Sequence, residues 1–149
     1  MDSKDMVEKA ILLASEAHAK DEWGEFPYMT HLALTAYEAR KLSNLPLVEA
    51  AAWLHDVIED HPEYEERVRS DFPDLIDVLL MDSRKDEETY SAYIDRLIRS
   101  NSTIALSVKY ADMKVNLSNN PPARLIERYS IHIGRLRDAL NKLGIVVIE

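Results

Sequence analysis

Cysteine is absent from this chain, which excludes disulfides, thiolate zinc sites and thiol nucleophiles and leaves His, Asp and Glu as the side chains able to hold a metal ion. That absence fits a cytoplasmic setting. Basic residues are in deficit: 18 Lys and Arg stand against 27 Asp and Glu, a net charge of −9. No summed positive field is therefore available to grip DNA, RNA or an anionic bilayer, and a phosphate ligand needs a local cluster of cations. No apolar run approaches the about 18 residues that suggest a membrane span. At the N-terminus Asp2, Asp5, Glu8 and Glu16 interrupt the segment, which has no basic stretch leading into an apolar core. The expectation is a soluble, unprocessed cytoplasmic protein that binds neither a nucleic acid polymer nor a membrane, and the sequence leaves a homo-oligomer open.

Glycine is also scarce, three in 149 residues, and strand patterns are almost missing. What is there is an apolar complement of 46%, enough for one compact domain over residues 1–149, recurring at helical spacing. Pro46, Pro62, Pro73 and Pro122 each stand just ahead of a periodic segment, where a fixed φ and a missing N–H suit a first helical turn. The pattern predicts an all-α bundle of about seven or eight helices, near 5–20, 30–42, 46–60, 62–70, 73–82, 87–99, 103–118 and 122–142, with ends uncertain by ~2 to 4 residues. Val146-Val147-Ile148 suits a short extended tail.

On the helix opening at Pro46, Leu47, Ala50, Ala51, Leu54 and Ile58 form the buried stripe, and His55, Asp56, Glu59 and Asp60 share an adjoining sector of about 140°. Taken alone, this pattern is better read as a solvated face with His55 paired to Glu59 one turn on. Asp112 is less ordinary, because it falls on the apolar stripe of Ala105, Val108 and Val115, where an unpaired carboxylate costs several kcal/mol. It requires a cation: a metal, a distant Arg, or Lys109. Asn116 lies one turn beyond it. His31 follows Thr30, a candidate N-cap, so it stands in a first helical turn whose dipole favours a neutral imidazole. His18 lies on the apolar face of the first helix and reads as core or as a support to the site; His61 and His132 carry no comparable context. Two imidazoles with two or three carboxylates suit Mn, Fe, Co or Zn better than Ca. Basic side chains able to face a polyphosphate are Lys20, Arg84, Lys85, Lys114, Arg124 and Arg128.

The order His31, then His55-Asp56 within AAWLHDVIED, then Asp112 within VKYADMKVN resembles the HD-domain superfamily of metal-dependent phosphohydrolases. It is most similar to the alarmone hydrolase domains of RelA/SpoT type and their small stand-alone relatives, which remove the 3′-pyrophosphate of guanosine tetraphosphate (ppGpp). Pro27-Tyr28-Met29-Thr30-His31, Leu54 to Asp60 and Glu88-Thr89-Tyr90-x-x-Tyr93-Ile94-x-Arg96 carry the likeness, which runs from about Ala10 to Tyr129. It implies an HD-domain helical bundle, one divalent ion, Mn²⁺ by the habit of that branch, held by His31, His55, Asp56 and Asp112, Glu59 and Asp60 as the catalytic acids, and Asn116 as a substrate contact. Arg124 and Tyr129 are similar to an Arg and a Tyr that touch nucleotide in relatives. Two stretches depart from the family pattern: Lys20-Asp21-Glu22-Trp23-Gly24-Glu25 replaces a basic run ahead of the Pro-Tyr pair, and Met113-Lys114-Val115 replaces Arg-Leu-His before Asn116.

The function expected is a nucleotide phosphohydrolase resembling a ppGpp 3′-pyrophosphohydrolase, with a small-molecule nucleotide as its partner. An HD-type phosphatase for another nucleotide and a non-catalytic HD module binding metal or nucleotide for regulation are the competing readings. Retention of Glu59 and Asp60 favours the enzyme; the acidic 20–25 stretch favours weak discrimination between bases.

Overall fold

A computed structural model describes residues 2–148. Its elements run α1 (Ser3–Ala17), β1 (Glu22–Trp23), β2 (Phe26–Pro27), α2 (Tyr28–Leu42), α3 (Pro46–Leu54), α4 (Val57–Asp60), a 3-10 turn (Pro62–Tyr64), α5 (Glu65–Asp71), α6 (Ile76–Met81), α7 (Tyr90–Ser100), α8 (Thr103–Leu117) and α9 (Ala123–Lys142). The all-α expectation holds, and Pro46 opens α3 as its spacing predicts.

Three particulars differ from the sequence reading. The segment predicted as one helix over 46–60 is two, broken at His55 and Asp56. The 20–28 segment contains a minimal antiparallel pair, Glu22 opposite Pro27 and Trp23 opposite Phe26. Its turn needs Gly24 at φ +62, where any side chain would be strained and a Cβ would sit 2.9 Å from Asn119 Nδ2. Thr30 is not an N-cap: Pro27, at φ −60 and ψ 149, precedes the first helical residue, and the Tyr28 N–H bonds back to the Asp21 carbonyl at 3.0 Å. His31 still falls in the first turn of α2.

Capping explains several boundaries. Asp2, Thr89 and Ser102 each accept a backbone N–H of the turn they open, from Lys4, Ala92 and Ala105. Asn101 ends α7 in the left-handed region at φ 55. Alanines at positions 10, 14, 36, 39, 50, 51 and 52 line the core where α1, α2 and α3 pack on one another, and their small volume permits close approach. A second core is built by α7, α8 and α9 around Tyr93, Leu97, Leu106, Met113, Leu136 and Leu140. α8 serves both: Val108 and Ala111 face the first core, Ala105, Leu106, Tyr110 and Met113 the second. A helix buried on nearly every side is the central strut. It carries Asp112 between the two cores. After α9 the chain runs extended, with Ile145 and Val147 packed against the second core and Val146 and Ile148 exposed. Among the described residues no helix is long and apolar enough to cross a membrane.

Candidate metal centre

Four side chains from three separate stretches of the sequence meet at one point. His31 comes from α2, His55 and Asp56 from the break between α3 and α4, and Asp112 from α8, and one N or O atom of each lies within 4.8 Å of all the others. His31 Nε2 is 3.0 Å from Asp112 Oδ1 and 3.6 Å from Asp56 Oδ2. His55 Nε2 is 3.2 Å from Asp112 Oδ1 and 3.0 Å from Asp56 Oδ2. Atoms held ~2.1 Å from a shared cation stand roughly 3.0 to 3.4 Å apart. The measured separations are close to that spacing.

The helix break makes this convergence possible. In an unbroken helix His55 and Asp56 would point about 100° apart. Instead the Nδ1–H of His55 donates to the Ala52 carbonyl at 2.6 Å, taking one of the acceptors that a helix end leaves free. That bond fixes the ring and leaves the Nε2 lone pair facing the cluster. Asp56 is held by the Tyr28 hydroxyl, which donates to Oδ2 at 2.5 Å. Asp112 is held twice: Lys109 Nζ donates to Oδ2 at 3.0 Å and Asn116 Nδ2 to Oδ1 at 3.2 Å. Asn116 Oδ1 in turn accepts from the Trp23 indole N–H at 3.0 Å, so both ends of this amide are engaged. Trp23 also packs at 5.2 Å from the His31 ring.

The residues fit a divalent ion on an observation independent of spacing. His31 is 1% exposed, yet neither of its ring nitrogens has a hydrogen-bond partner. Its Nε2 approaches two carboxylates without aligning to either. A buried imidazole in that position is costly unless a cation receives its lone pair. The electrostatics agree: burial alone would lower the pKa of both imidazoles, but Asp56 and Asp112 overcome it and raise them, His55 strongly. Burial would likewise raise both carboxyl groups, and the cationic partners instead hold them below the ordinary range, Lys109 acting first on Asp112 and His55 first on Asp56. The cluster thus concentrates a field that favours positive charge at its centre. His and Asp side chains in this arrangement are able to hold a metal ion.

Glu59 and Asp60, one turn further, do not pair with His55. Glu59 accepts the backbone N–H of Arg84 at 2.9 Å, and its pKa is raised by partial burial and by Asp56. Asp60 is pushed up to about 7 by desolvation, then by the charges of Asp56 and Glu59. Beside them opens a cleft of about 360 Å³ lined by Glu59, Arg84, Lys85, Tyr90, Lys109 and Tyr129, among others. Arg84 and Arg128 stand over the Tyr90 ring at 5.7 and 4.7 Å.

Of the residues expected to face substrate, Arg84, Lys85 and Tyr129 line this cleft, and Asn116 touches the metal cluster. Lys20 lines a different, open depression of about 390 Å³ with Asp21, Glu22 and Glu25. Arg124 is exposed at the start of α9 and lines neither. Lys114 pairs with Glu38 at 3.1 Å. Residue type alone does not mark Tyr90 and Tyr93 for the site, although their spacing of three on α7 puts both toward Lys109 of α8. Nothing local in the sequence marks Tyr28 as the partner of Asp56, a contact across 28 positions.

No protein-family profile and no curated protein sequence matches the chain. Among solved structures it is similar to a metazoan ortholog of SpoT, described as hydrolysing ppGpp and playing a role in starvation responses. The TM-score is 0.72 at 21% identity, over 91% of this chain and 85% of that one. The likeness establishes the fold alone: the chain shares the all-α architecture of that protein.

Proposed function

We propose that this chain is a metal-dependent phosphohydrolase acting on a nucleotide, with ppGpp-type 3′-pyrophosphate hydrolysis as the leading reaction and Mn²⁺ as the ion. One observation carries the reading: Lys109 donates to Asp112 of the His31, His55, Asp56 and Asp112 cluster and at the same time lines a cleft with Arg84, Lys85 and Glu59. His31, His55, Asp56 and Asp112 would hold the ion. Bound there, a divalent cation supplies Lewis acidity toward a phosphoryl oxygen and neutralises phosphate charge.

The protein's own groups divide the remaining work. Tyr28 keeps one Asp56 oxygen turned inward, and Lys109 occupies the outer oxygen of Asp112, so each carboxylate presents a defined atom. Asp60, poised at about 7, can give or take a proton near neutral pH, as a general acid–base group requires. Glu59, anchored through Arg84, couples the acid pair to the loop that carries the cations. Arg84, Lys85 and Arg128 answer the charge of the phosphates that are not cleaved, and Tyr90 and Tyr129 border them.

The acidic depression of Asp21, Glu22 and Glu25 supports a second reading, hydrolysis of another nucleotide, because it offers a purine few cationic partners beyond Lys20. Purified protein with Mn²⁺ should be screened against the guanosine and adenosine tetraphosphates, deoxynucleoside monophosphates and cyclic nucleotides, with phosphate and pyrophosphate release resolved. Pyrophosphate from both tetraphosphates is expected. A guanosine preference near a thousandfold, about 4 kcal/mol, would contradict the inferred weak base discrimination, and activity confined to monophosphates would select the second reading. No turnover of any, with nucleotide still bound, would leave a regulatory module.

A further inference from the structure

A second group of metal-ligating type lies outside the centre described above. His18 closes the end of α1, Asp21 sits in the loop before β1, and His61 follows α4, and one N or O atom of each lies within 4.8 Å of the others. His18 Nδ1 is 2.7 Å and His61 Nε2 2.5 Å from the same oxygen, Asp21 Oδ2. We propose that His18, Asp21 and His61 form an accessory site for a first-row divalent transition ion such as Zn²⁺, independent of the four-residue centre.

The chemistry of the donors points that way. Two imidazoles and one carboxylate with open positions are a set that borderline ions favour and that Ca²⁺ and Mg²⁺ do not. Each ring turns one nitrogen to Asp21 Oδ2, where an ion would replace the bridging proton. His18 is 2% exposed, and its Nε2 has no hydrogen-bond partner, so the proton can reside there while Nδ1 exchanges its bond to Asp21 for the ion. On His61 the opposite nitrogen, Nδ1, faces Glu63 Oε1 at 3.5 Å, the carboxylate-behind-imidazole arrangement that orients metal-binding histidines. Asp21 and Glu63 give the group a negative surround. The ion has a route in, since the Asp21 and His61 side chains are 31% and 24% exposed.

The present distances are shorter than the about 3 Å between ligands of one ion, so Asp21 would have to withdraw by a few tenths of an ångström. Asp21 lies in a loop and not in a helix, and such a shift is inexpensive there. The site also has a consequence for the chain around it. An ion there would fasten the end of α1 to the segment after α4. His18 stacks on Tyr28 at 4.6 Å, and Tyr28 is the donor to Asp56, so one ring is shared by the walls of both groups.

The test is equilibrium dialysis of the full chain against saturating Zn²⁺ and, in parallel, Co²⁺, whose visible absorption reports its ligands. The parent should retain one equivalent more than Asp21→Asn and His61→Gln, both at partly exposed positions, with circular dichroism used to check that each variant keeps the parent's fold. The variants should lose a distinct Co²⁺ absorption component while keeping the one that disappears in His55→Ala. Equal stoichiometry and equal spectra in the parent and both variants would overturn the proposal and mark the group as a hydrogen-bonded His–Asp–His latch. Loss of all metal in His55→Ala would overturn it equally, whereas retention there of the Asp21-dependent equivalent supports it, whatever the four-residue centre does.

Discussion

Two carboxyl groups near the metal cluster illustrate how neighbours, more than residue type, set the chemistry of a side chain. Asp82 is 5% exposed and neither of its oxygens has a hydrogen-bond partner, so burial raises its pKa well above the usual carboxylate value. A raised folded-state value means that the native protein binds the proton more tightly than the unfolded chain. Asp82 therefore costs nothing below about pH 4 and destabilises progressively as pH rises through and beyond that value. Asp82→Asn should accordingly raise the melting temperature at pH 7 to 8 and leave it nearly unchanged near pH 4; equal melting shifts at both pH values would refute this. Asp60 is raised by its surroundings too, to about 7, but it is exposed, next to Glu59 at the end of α4. Asp60→Asn and Glu59→Gln keep shape and remove a titratable carboxyl. Turnover on the best substrate should fall roughly a hundredfold or more, and the limb near pH 7 in the kcat profile should vanish with Asp60. Metal content, measured on the same preparations, should remain. Full activity in both variants would reduce Glu59 and Asp60 to a solvated helix end.

At the scale of elements, the loop between α6 and α7 is organised by one guanidinium. Arg96 donates to both carboxylate oxygens of Glu88, at 2.8 and 2.9 Å, and to the carbonyls of Met81 and Ser83, at 2.9 and 3.1 Å. This clamp fixes the stretch that carries Arg84 and Lys85 into the cleft. Lysine cannot reproduce such a fork. Arg96→Lys should raise KM several-fold with a smaller change in kcat, a split that an effect on chemistry alone would not give. Glu88 is held down to about 2 by Arg96 from an ordinary 4.5, so the clamp contributes stability above pH 4.5 that is lost as pH falls toward 2. Acid titration of the parent and of Arg96→Lys should converge at that end.

These elements also mark what a sequence can and cannot disclose. The placing of Asp112 on an apolar stripe is legible because helical period and residue type conflict there, and the structure resolves the conflict with Lys109, Asn116 and the two imidazoles. The break at His55 and Asp56 is not legible. The 46–60 segment has an unbroken helical pattern, and the interruption depends on a bond from the His55 ring to Ala52 and on Tyr28, 28 positions away. The Trp23 hairpin is equally hidden, for two-residue strands leave no alternation to read. Thr30 shows the converse: a good capping residue is overridden when a proline three places earlier already starts the helix.

For the whole molecule, the four-residue centre stands where three parts that already pack on one another meet. α2 brings His31, the α3–α4 junction brings His55 and Asp56, and α8, which spans both hydrophobic cores, brings Asp112. An ion bound at their meeting point binds only the native arrangement, because the unfolded chain does not assemble the four groups. Mass action then links occupancy to stability: at a free metal concentration 100 times the dissociation constant the gain is about 2.7 kcal/mol. For a chain of this size that corresponds to roughly 5 to 10 °C in melting temperature. Melts with added Mn²⁺ and with chelator should differ by that amount in the parent. The difference should disappear in His55→Ala and Asp56→Ala, whose own melting temperatures should be those of the chelated parent or lower. Tyr28→Phe, which removes only the hydroxyl on Asp56, should need ~10 to 100 times more metal to reach the parent's shift, since it takes away the group that orients a ligand without being one. A metal-induced shift that survives both His55→Ala and Asp56→Ala would show that the ion stabilises the protein from somewhere else.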